Sequence, residues 1–333
     1  MSTRVYFWLV VSAQKTSDPN EGLHRFNISV PAWTVDALNK LIDYWDLRDK
    51  LNITNDPCIQ NAEWANEQAN PRVACDCSSS TCHITHLKVY GLDISGEIPS
   101  ELFVLKELVK LDFGQNILNG TIPAEIEQLS HLQNLSCMLI AVESVDRFRE
   151  NLQNLKSLQT LWASDNLFTG KLPDFFGALT ELRNLRLQGT LLEGPIPSSF
   201  SALKKLEDLR IGDLKGEDSV LEFLLNQKSL TILVLRNCLL SGQIPDRLGN
   251  FSRLRELDLS FNKLTGQIPD SFQDLALLQY LYLGNNSLNG QLPANIIGPN
   301  SNCNRCLIQS HFWRFATKFY EGWIINECCW NFH

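Results

Sequence analysis

Leucine recurs along this chain with a fixed period. Successive members of the series are 24 residues apart, with a single step of 26 between Leu135 and Leu161. The nine positions of the series are Leu87, Leu111, Leu135, Leu161, Leu185, Leu209, Leu233, Leu257 and Leu281. Apolar residues also stand three positions before and two positions after each of them. A period of about 20–50 residues indicates a solenoid of stacked units, because one unit cannot bury its own hydrophobic face.

Each unit follows the pattern L-x-x-L-x-L-x-x-N-x-L-x-G-x-I-P, as in LRELDLSFNKLTGQIP at 254–269. The L-x-L segment predicts a short strand whose leucines point inward and whose intervening residues point outward. Glycine and proline then turn the chain away from the strand. These features define a leucine-rich repeat. The predicted fold class is an α/β solenoid of about nine 24-residue repeats, curved, with a parallel sheet on the concave side.

An asparagine follows four of the nine predicted strands, and its amide is suited to satisfy backbone groups between neighbouring repeats. The members of this column are Asn116, Asn166, Asn262 and Asn286, and Cys238 takes the same place in the seventh repeat. Two repeats depart from the pattern. Apolar residues at helical spacing in 145–155 predict a short convex helix in the third repeat. In the sixth, Ser219 and Glu222 form a capping box that predicts a convex helix at about 220–227.

The second repeat contains Asp112-Phe113-Gly114, the tripeptide with which protein kinases bind magnesium. A kinase also needs a catalytic loop and a glycine-rich phosphate loop, and the sequence contains neither. The repeat pattern instead directs Phe113 inward and Asp112 outward. The six histidines contain no His-x-x-x-His pair of the metalloprotease type. We therefore predict a non-catalytic chain without a cofactor or a metal.

Charge and the first residues indicate the compartment. A formal net charge of −8 argues against a nucleic-acid partner, since nucleic-acid binders present a basic stripe. Residues 1–13 place Arg4 before a short apolar run and a small-residue cleavage pattern, which favours a secretory signal over an ordinary apolar start. We expect an extracellular or cell-surface location. Acceptors for N-glycosylation support this expectation and are Asn27, Asn52, Asn119, Asn134, Asn250 and Asn285.

The repeats occupy residues 84–301, and residues 14–83 are predicted to form a helical cap that covers the first repeat. Thr34 is the expected N-cap of a helix in this segment. The apolar stripe of that helix consists of Val35, Leu38, Leu41, Ile42 and Trp45.

An even number of cysteines in a secreted cap predicts disulfides, and these cysteines are Cys58, Cys75, Cys77 and Cys82. Four cysteines allow three pairings, and the sequence does not choose among them. A zinc site is the alternative, with ligands drawn from Cys75, Cys77, Cys82, His83 and His86.

The period stops after Pro293, and residues 302–333 form an atypical tail rich in cysteine and aromatic residues. One interpretation is a C-terminal cap held by disulfides between Cys303, Cys306, Cys328 and Cys329. The other is sequence from outside the normal reading frame or exon.

The outward strand positions form a rigid array suited to binding. Repeats four to seven place Trp162 beside Arg186, Arg210 and Arg236, and arginine and tryptophan dominate interface hot spots. An arginine cluster suits a carboxylate or sulfate on a peptide or an acidic wall sugar. The predicted ligand-binding residues are Trp162, Arg186, Arg210, Arg236, Asp258 and Tyr282. The alternative is that these arginines pair with nearby carboxylates, namely Asp165, Asp208 and Asp213.

Several segments resemble the extracellular region of plant leucine-rich-repeat receptor-like kinases, specifically the subfamily with a malectin-like domain, a membrane span and a cytoplasmic serine/threonine kinase. The segments that carry the resemblance are VDALNKLIDYWDL (35–47), VACDCSSSTCHITHLKVYGLDISGEIPSELF (73–103), LWASDNLFTGKLPDFFG (161–177), LRLQGTLLEGPIPSSF (185–200), LEDLRIGDLKGEDS (206–219) and LDLSFNKLTGQIP (257–269). Family ectodomains are longer by about two repeats near 137–155 and continue beyond Asn295.

This resemblance implies an extracellular recognition module, non-catalytic in this chain, that binds a peptide, a cell-wall glycan or a co-receptor with leucine-rich repeats. Nothing in the sequence resembles the malectin-like domain, the membrane helix or the kinase. The chain is therefore interpreted as a truncated product or a secreted variant that keeps the recognition part. The alternative functions are a secreted inhibitor or decoy of a cell-wall-degrading enzyme, similar to plant polygalacturonase-inhibiting proteins, or a non-functional truncated product.

Overall fold

The computed structural model describes residues 29–139, 150–224 and 227–291, except 52, 54, 55, 60 and 61, together with 293, 296 and 305–307. The predicted signal segment, the acceptors Asn27 and Asn52, and nearly all of the tail lie outside the described residues. Among those residues, no helix has the length and apolar character that crossing a bilayer requires.

One sheet of 12 strands runs through the whole described region. The first two strands pair antiparallel, and every later pairing in the sheet is parallel. In order of pairing, the strands are Arg72–Asp76, His83–Lys88, Lys110–Leu118, Asn134–Leu139, Thr160–Trp162, Asn184–Leu187, Asp208–Gly212, Ile232–Arg236, Glu256–Asp258, Tyr280–Tyr282 and Arg305–Leu307; the short strand Ser95–Gly96 also pairs with Lys110–Leu118.

The repeat leucines stand opposite one another in this sheet. Leu209, for example, lies in register with Leu185 on one side and Leu233 on the other. All three are fully buried, because the period of two directs every strand leucine toward the interior. The predicted solenoid and the predicted inward orientation are confirmed.

Outside the large sheet, the repeats contain short 3-10 turns and two small sheets. The 3-10 turns within the repeats are Ser100–Val104, Ala124–Gln128, Glu150–Asn154, Asp174–Ala178, Ser198–Ala202, Leu221–Phe223, Asp246–Asn250 and Asp270–Asp274, and Glu63–Ala65 is a further one in the cap. The small sheets consist of Thr169–Lys171, Leu191–Gly194 and Lys215–Gly216, and of Ser241–Gln243, Lys263–Gln267 and Ser287–Asn289. A proline directly precedes most of these turns and fixes the backbone that enters them.

The kinase-like tripeptide lies within the strand Lys110–Leu118. Phe113 is buried at 1% exposure, so it belongs to the core. The carboxylate of Asp112 accepts a hydrogen bond from the backbone N–H of Gly114 at 3.0 Å. The tripeptide therefore has a structural role, as the repeat pattern predicts.

The asparagine ladder is formed as expected. Asn116 is 2% exposed, and its amide donates to the carbonyl oxygens of Val89 and Phe113 while its oxygen accepts from the N–H of Leu92. Cys238 is fully buried in the same column, where its thiol lies 3.3 Å from the carbonyl oxygen of Ile211. Where a ladder residue is present, it therefore ties its repeat to the one before it.

The N-terminal cap contains the helix Ala32–Tyr44, and disulfides pair Cys58 with Cys75 and Cys77 with Cys82. Most of the predicted apolar stripe of the helix is buried against the core. The predicted N-cap at Thr34 is wrong, because the helix begins two residues earlier, with Pro31 at the cap position. The fixed φ angle of Pro31 suits the start of a helix. Thr34 is a buried residue of the first turn.

The two predicted convex helices are 3-10 turns in their described parts. Ser219 forms no cap on the turn Leu221–Phe223, so the capping-box prediction is wrong. Its hydroxyl instead accepts a hydrogen bond from the N–H of Ile196 at 3.0 Å and is completely buried. One further strand, Arg305–Leu307, pairs in parallel with Tyr280–Tyr282, so the large sheet extends into the segment that the sequence assigned to the tail.

Candidate concave binding face

Two columns of outward residues cross the large sheet. The central column holds the residue after each strand leucine, and these residues stand in register as Lys88, Asp112, Ser136, Trp162, Arg186, Arg210, Val234, Asp258 and Tyr282. The preceding column holds the residue before each strand leucine and includes His86, Lys110, Asn134, Thr160, Asn184, Asp208, Ile232, Glu256 and Tyr280. Five of the six predicted ligand-binding residues lie in the central column, and Arg236 lies two residues after Val234 of that column.

Trp162 and Arg186 form the aromatic part of this face. The Arg186 guanidinium lies 4.6 Å from the centroid of the Trp162 ring, within the range of a cation–π interaction. Trp162 is 42% exposed, although tryptophan on a globular surface usually buries most of its ring. The pair therefore presents a preformed aromatic and cationic surface to solvent.

Asp208 lies between two of the predicted arginines. Its carboxylate accepts a hydrogen bond from Arg186 Nη2 at 2.7 Å and from Arg210 Nε at 2.9 Å. Arg210 also lies 3.8 Å from a carboxylate oxygen of Glu256. Asp208 is only 4% exposed, so these ion pairs are held in partly desolvated surroundings. For two of the three arginines, the structure shows the pairing with a carboxylate that the sequence left as the alternative.

Arg236 has different surroundings. Its guanidinium stacks on the exposed ring of Phe261 at 3.9 Å and donates to the hydroxyl of Ser260 at 3.3 Å. The Asp258 carboxylate is engaged by the same Ser260, whose hydroxyl and N–H lie 2.5 and 2.9 Å from it. Arg236 is therefore the predicted arginine whose charge is not matched by a carboxylate within 4.0 Å among the described residues.

A groove of about 430 Å³ adjoins the predicted site on its N-terminal side. Tyr90 and Trp162 contribute aromatic walls, and Ser136, Ser164 and Asp165 contribute polar groups. The sequence did not predict this groove, because Tyr90 and Trp162 lie 72 residues apart in the chain.

Among the described residues, no cysteine offers a catalytic or metal-binding group. The sulfur atoms of Cys58, Cys77 and Cys82 lie within 4.8 Å of one another, but all three are bonded in disulfides and so lack the thiolate that a metal requires. Burial raises the pKa of the Cys137 thiol to about 12 and also raises the pKa of the Cys238 thiol. Both thiols are therefore protonated and unreactive at neutral pH.

The four glycosylation acceptors within the described residues differ in solvent exposure. Asn250 and Asn285 are exposed, whereas Asn119 and Asn134 are half-buried. Asn134 lies in the preceding column of the concave sheet, so a glycan there would cover part of the face. Glycosylation at each of these positions stays a prediction.

Family models match two parts of the chain. A model described as Leucine rich repeat covers residues 228–288, and another of the same description covers residues 157–179. The chain therefore contains leucine-rich repeats. Among its curated relatives, a probable leucine-rich repeat receptor-like serine/threonine-protein kinase of Arabidopsis thaliana is 34% identical over 104 residues, which are 29% of this chain and 10% of the relative. Receptor-like kinase TMK2 of the same plant is 27% identical over 222 residues, 65% of this chain and 18% of the relative.

Solved structures similar to this chain include the ectodomain of the Arabidopsis receptor kinase HAESA bound to an N-terminally extended IDA peptide hormone. The TM-score is 0.68 at 25% identity, with 83% of this chain and 49% of that chain covered. HAESA in complex with IDA and the co-receptor SERK1 matches with a TM-score of 0.56 at 28% identity, over 67% and 37% of the two chains. The chain thus spans less than a fifth of the two curated relatives and matches the leucine-rich-repeat ectodomain of such receptors, not a kinase domain.

Proposed function

We propose that this protein is an extracellular ligand-recognition module of the plant receptor-kinase type, and that its concave sheet binds a peptide. The observation that carries the proposal is the exposed Trp162 ring stacked with Arg186 at the centre of a rigid parallel sheet. Rigid aromatic and arginine side chains contribute most of the binding energy in protein interfaces. The similarity to ectodomains solved with peptide hormones supports a peptide as the ligand class.

Further parts of the proposal concern location and partners. We infer that the chain passes through the secretory pathway, carries N-glycans at its exposed acceptors and acts at the cell surface, within the subfamily that has a malectin-like domain. A leucine-rich-repeat co-receptor is the expected protein partner, as SERK1 is in the HAESA complex. The relatives and structures described above are receptors, so the interpretation as an inhibitor of a wall-degrading enzyme gains no support.

Peptide binding is tested with peptides that are selected for binding to the wild-type protein. Peptides are selected from a random phage-displayed library against the wild-type protein, synthesised and measured by isothermal titration calorimetry. Trp162→Ala is expected to weaken their binding at least about tenfold, because it removes a central aromatic anchor. Trp33→Ala is the matched control, since Trp33 is 57% exposed on the cap helix and away from the sheet.

The outcome that contradicts the proposal is equal affinity of the wild-type protein and Trp162→Ala. Reversing Arg186 and Arg210 to Glu is a poorer test of the site. Each new carboxylate would face Asp208, which is nearly buried, and a loss of binding could then reflect a loss of folding. Arg236→Gln avoids this problem, because Arg236 holds no buried carboxylate.

A further inference from the structure

Four basic residues converge at the N-terminal end of the concave sheet. Arg72, on the cap strand, stands opposite Lys88, and His86 stands opposite Lys110 in the next strand. Val73 and Leu87 are buried, so the alternation of the strands directs Arg72, His86, Lys88 and Lys110 to the outer, concave face. The sequence did not suggest this cluster, which we call the N-terminal basic cluster.

The cationic side chains of this cluster form no ion pair, in contrast to those of Arg186 and Arg210, although Asp112 stands opposite Lys88 in the next strand. Within the described part of the chain, Arg72, Lys88 and Lys110 have no carboxylate within 4.0 Å. Arg72 Nε is buried and has no hydrogen-bond partner there. Unpaired buried donors are rare in folded proteins and are costly unless a ligand satisfies them.

The pKa of His86 is affected by the charged groups around it. Burial lowers its pKa, and the charges of Arg72 and Lys110 lower it further, while Glu67 opposes them weakly. A cationic environment at this point exists in spite of a net charge of −8 for the whole chain. An anion attracted to the protein therefore has a local reason to bind here and not elsewhere on an acidic surface.

The spacing of the cluster fits an extended acidic peptide. His86 and Lys88 are two positions apart on one strand, a separation of about 6.6 Å along the chain. An extended peptide repeats its side chains at the same interval, since residues i and i+2 point to the same side. Carboxylates at alternate positions would meet His86 and Lys110 at one point and Lys88 and Arg72 at the next.

We propose that the N-terminal basic cluster binds an acidic stretch of the peptide ligand, with carboxylates at alternate positions paired to Arg72, Lys88 and Lys110. This inference rests on the proposed peptide-binding function. It assigns anion recognition to the first two repeats and the cap strand, while the region around Trp162 supplies the aromatic contact. The groove bounded by Tyr90 and Trp162 connects the two regions.

The test uses the whole protein and a fluorescent peptide, (Glu-Ser)3, as the probe, with (Gln-Ser)3 as its neutral counterpart. Fluorescence anisotropy at low salt measures the affinities. We expect Lys88→Gln/Lys110→Gln to weaken (Glu-Ser)3 binding at least about tenfold, because two charge-assisted contacts are lost. The matched control is Lys106→Gln/Lys204→Gln, which makes the same change in net charge at two exposed lysines outside both columns and is expected to bind as the wild-type protein does.

His86 is expected to make the binding of (Glu-Ser)3 depend on pH. Because a bound carboxylate stabilises the imidazolium, binding should tighten as the pH falls from 8 to 6, and His86→Gln should flatten this dependence. The proposal is overturned if the two double variants lose affinity equally, if (Gln-Ser)3 binds as tightly as (Glu-Ser)3, or if a galacturonate hexamer competes about tenfold more tightly than (Glu-Ser)3, which would make the occupant an acidic sugar.

The failure of this inference is distinguishable from failure of the proposed function. If library-selected peptides depend on Trp162 but are unaffected by Lys88→Gln/Lys110→Gln, peptide binding stands and the acidic subsite is wrong. If (Glu-Ser)3 binds in a lysine-dependent manner while no library peptide depends on Trp162, the central contact is wrong and the acidic subsite stands.

Discussion

Phe200→Ala is expected to lower the free energy of unfolding by about 3–5 kcal/mol. Phe200 is completely buried on the turn Ser198–Ala202, where its ring packs edge-on between two other phenylalanines. The centroid distances to Phe176 and Phe223 are both 6.2 Å. Removing this ring opens a cavity between three successive repeats, into which the stacked units relax only partly.

Urea unfolding followed by circular dichroism measures the effect of Phe200→Ala. The matched control is Ser198→Ala, an exposed position of the same turn, which is expected to change stability by less than about 0.5 kcal/mol. A loss below about 1 kcal/mol for Phe200→Ala would contradict the packing described here.

Asn116→Ala is expected to lower the free energy of unfolding by on the order of 3 kcal/mol, because it leaves several buried backbone groups without a hydrogen-bond partner. The amide of Asn116 donates to Val89, Phe113 and Gly114, and its oxygen accepts from Leu92 and Ile94, so no single water could replace it. The interface between the first two repeats would weaken most. The same urea experiment measures this loss.

The chain itself suggests a graded comparison with Asn116→Cys. Cys238 fills the same column and donates toward two carbonyl oxygens, of Ile211 and Arg236, at 3.3 and 3.4 Å. Asn116→Cys should therefore be less destabilising than Asn116→Ala. Asn119→Ala, in protein without glycans, serves as the control outside the ladder. If alanine and cysteine at position 116 are equally tolerated, the ladder does not hold the repeats together.

Much of the fold follows from the sequence because the repeat makes local pattern and global structure agree. The alternation of L-x-L alone placed Trp162, Arg186, Arg210, Asp258 and Tyr282 in one outward column, and the register of the sheet confirms their alignment. Local sequence motifs predicted hydrogen bonds less reliably where a backbone group of a neighbouring repeat bonds to the same side chain. Ser219 matches a capping box, but the N–H of Ile196 from the previous repeat uses its hydroxyl.

The pairing of charges could not be read from the sequence in the same way. Asp208 was one of three carboxylates near the predicted arginines, and only the geometry shows that it bonds to both Arg186 and Arg210. The N-terminal basic cluster was missed because Arg72 belongs to the cap. Its antiparallel pairing with His83–Lys88 is a contact across the cap boundary that the repeat period does not encode.

The most direct test of the account is a glycan placed on the concave face. Gln188→Asn creates an Asn-Gly-Thr acceptor in the strand-to-loop region beside Arg186, and Gln128→Asn creates an Asn-Leu-Ser acceptor on an exposed turn of the other side. Both proteins are secreted from eukaryotic cells, and mass spectrometry verifies their glycans. We expect that glycosylated Gln188→Asn no longer binds the library-selected peptides, while glycosylated Gln128→Asn binds them with wild-type affinity. Wild-type affinity of the Gln188→Asn glycoprotein would contradict the assignment of the concave sheet as the binding face.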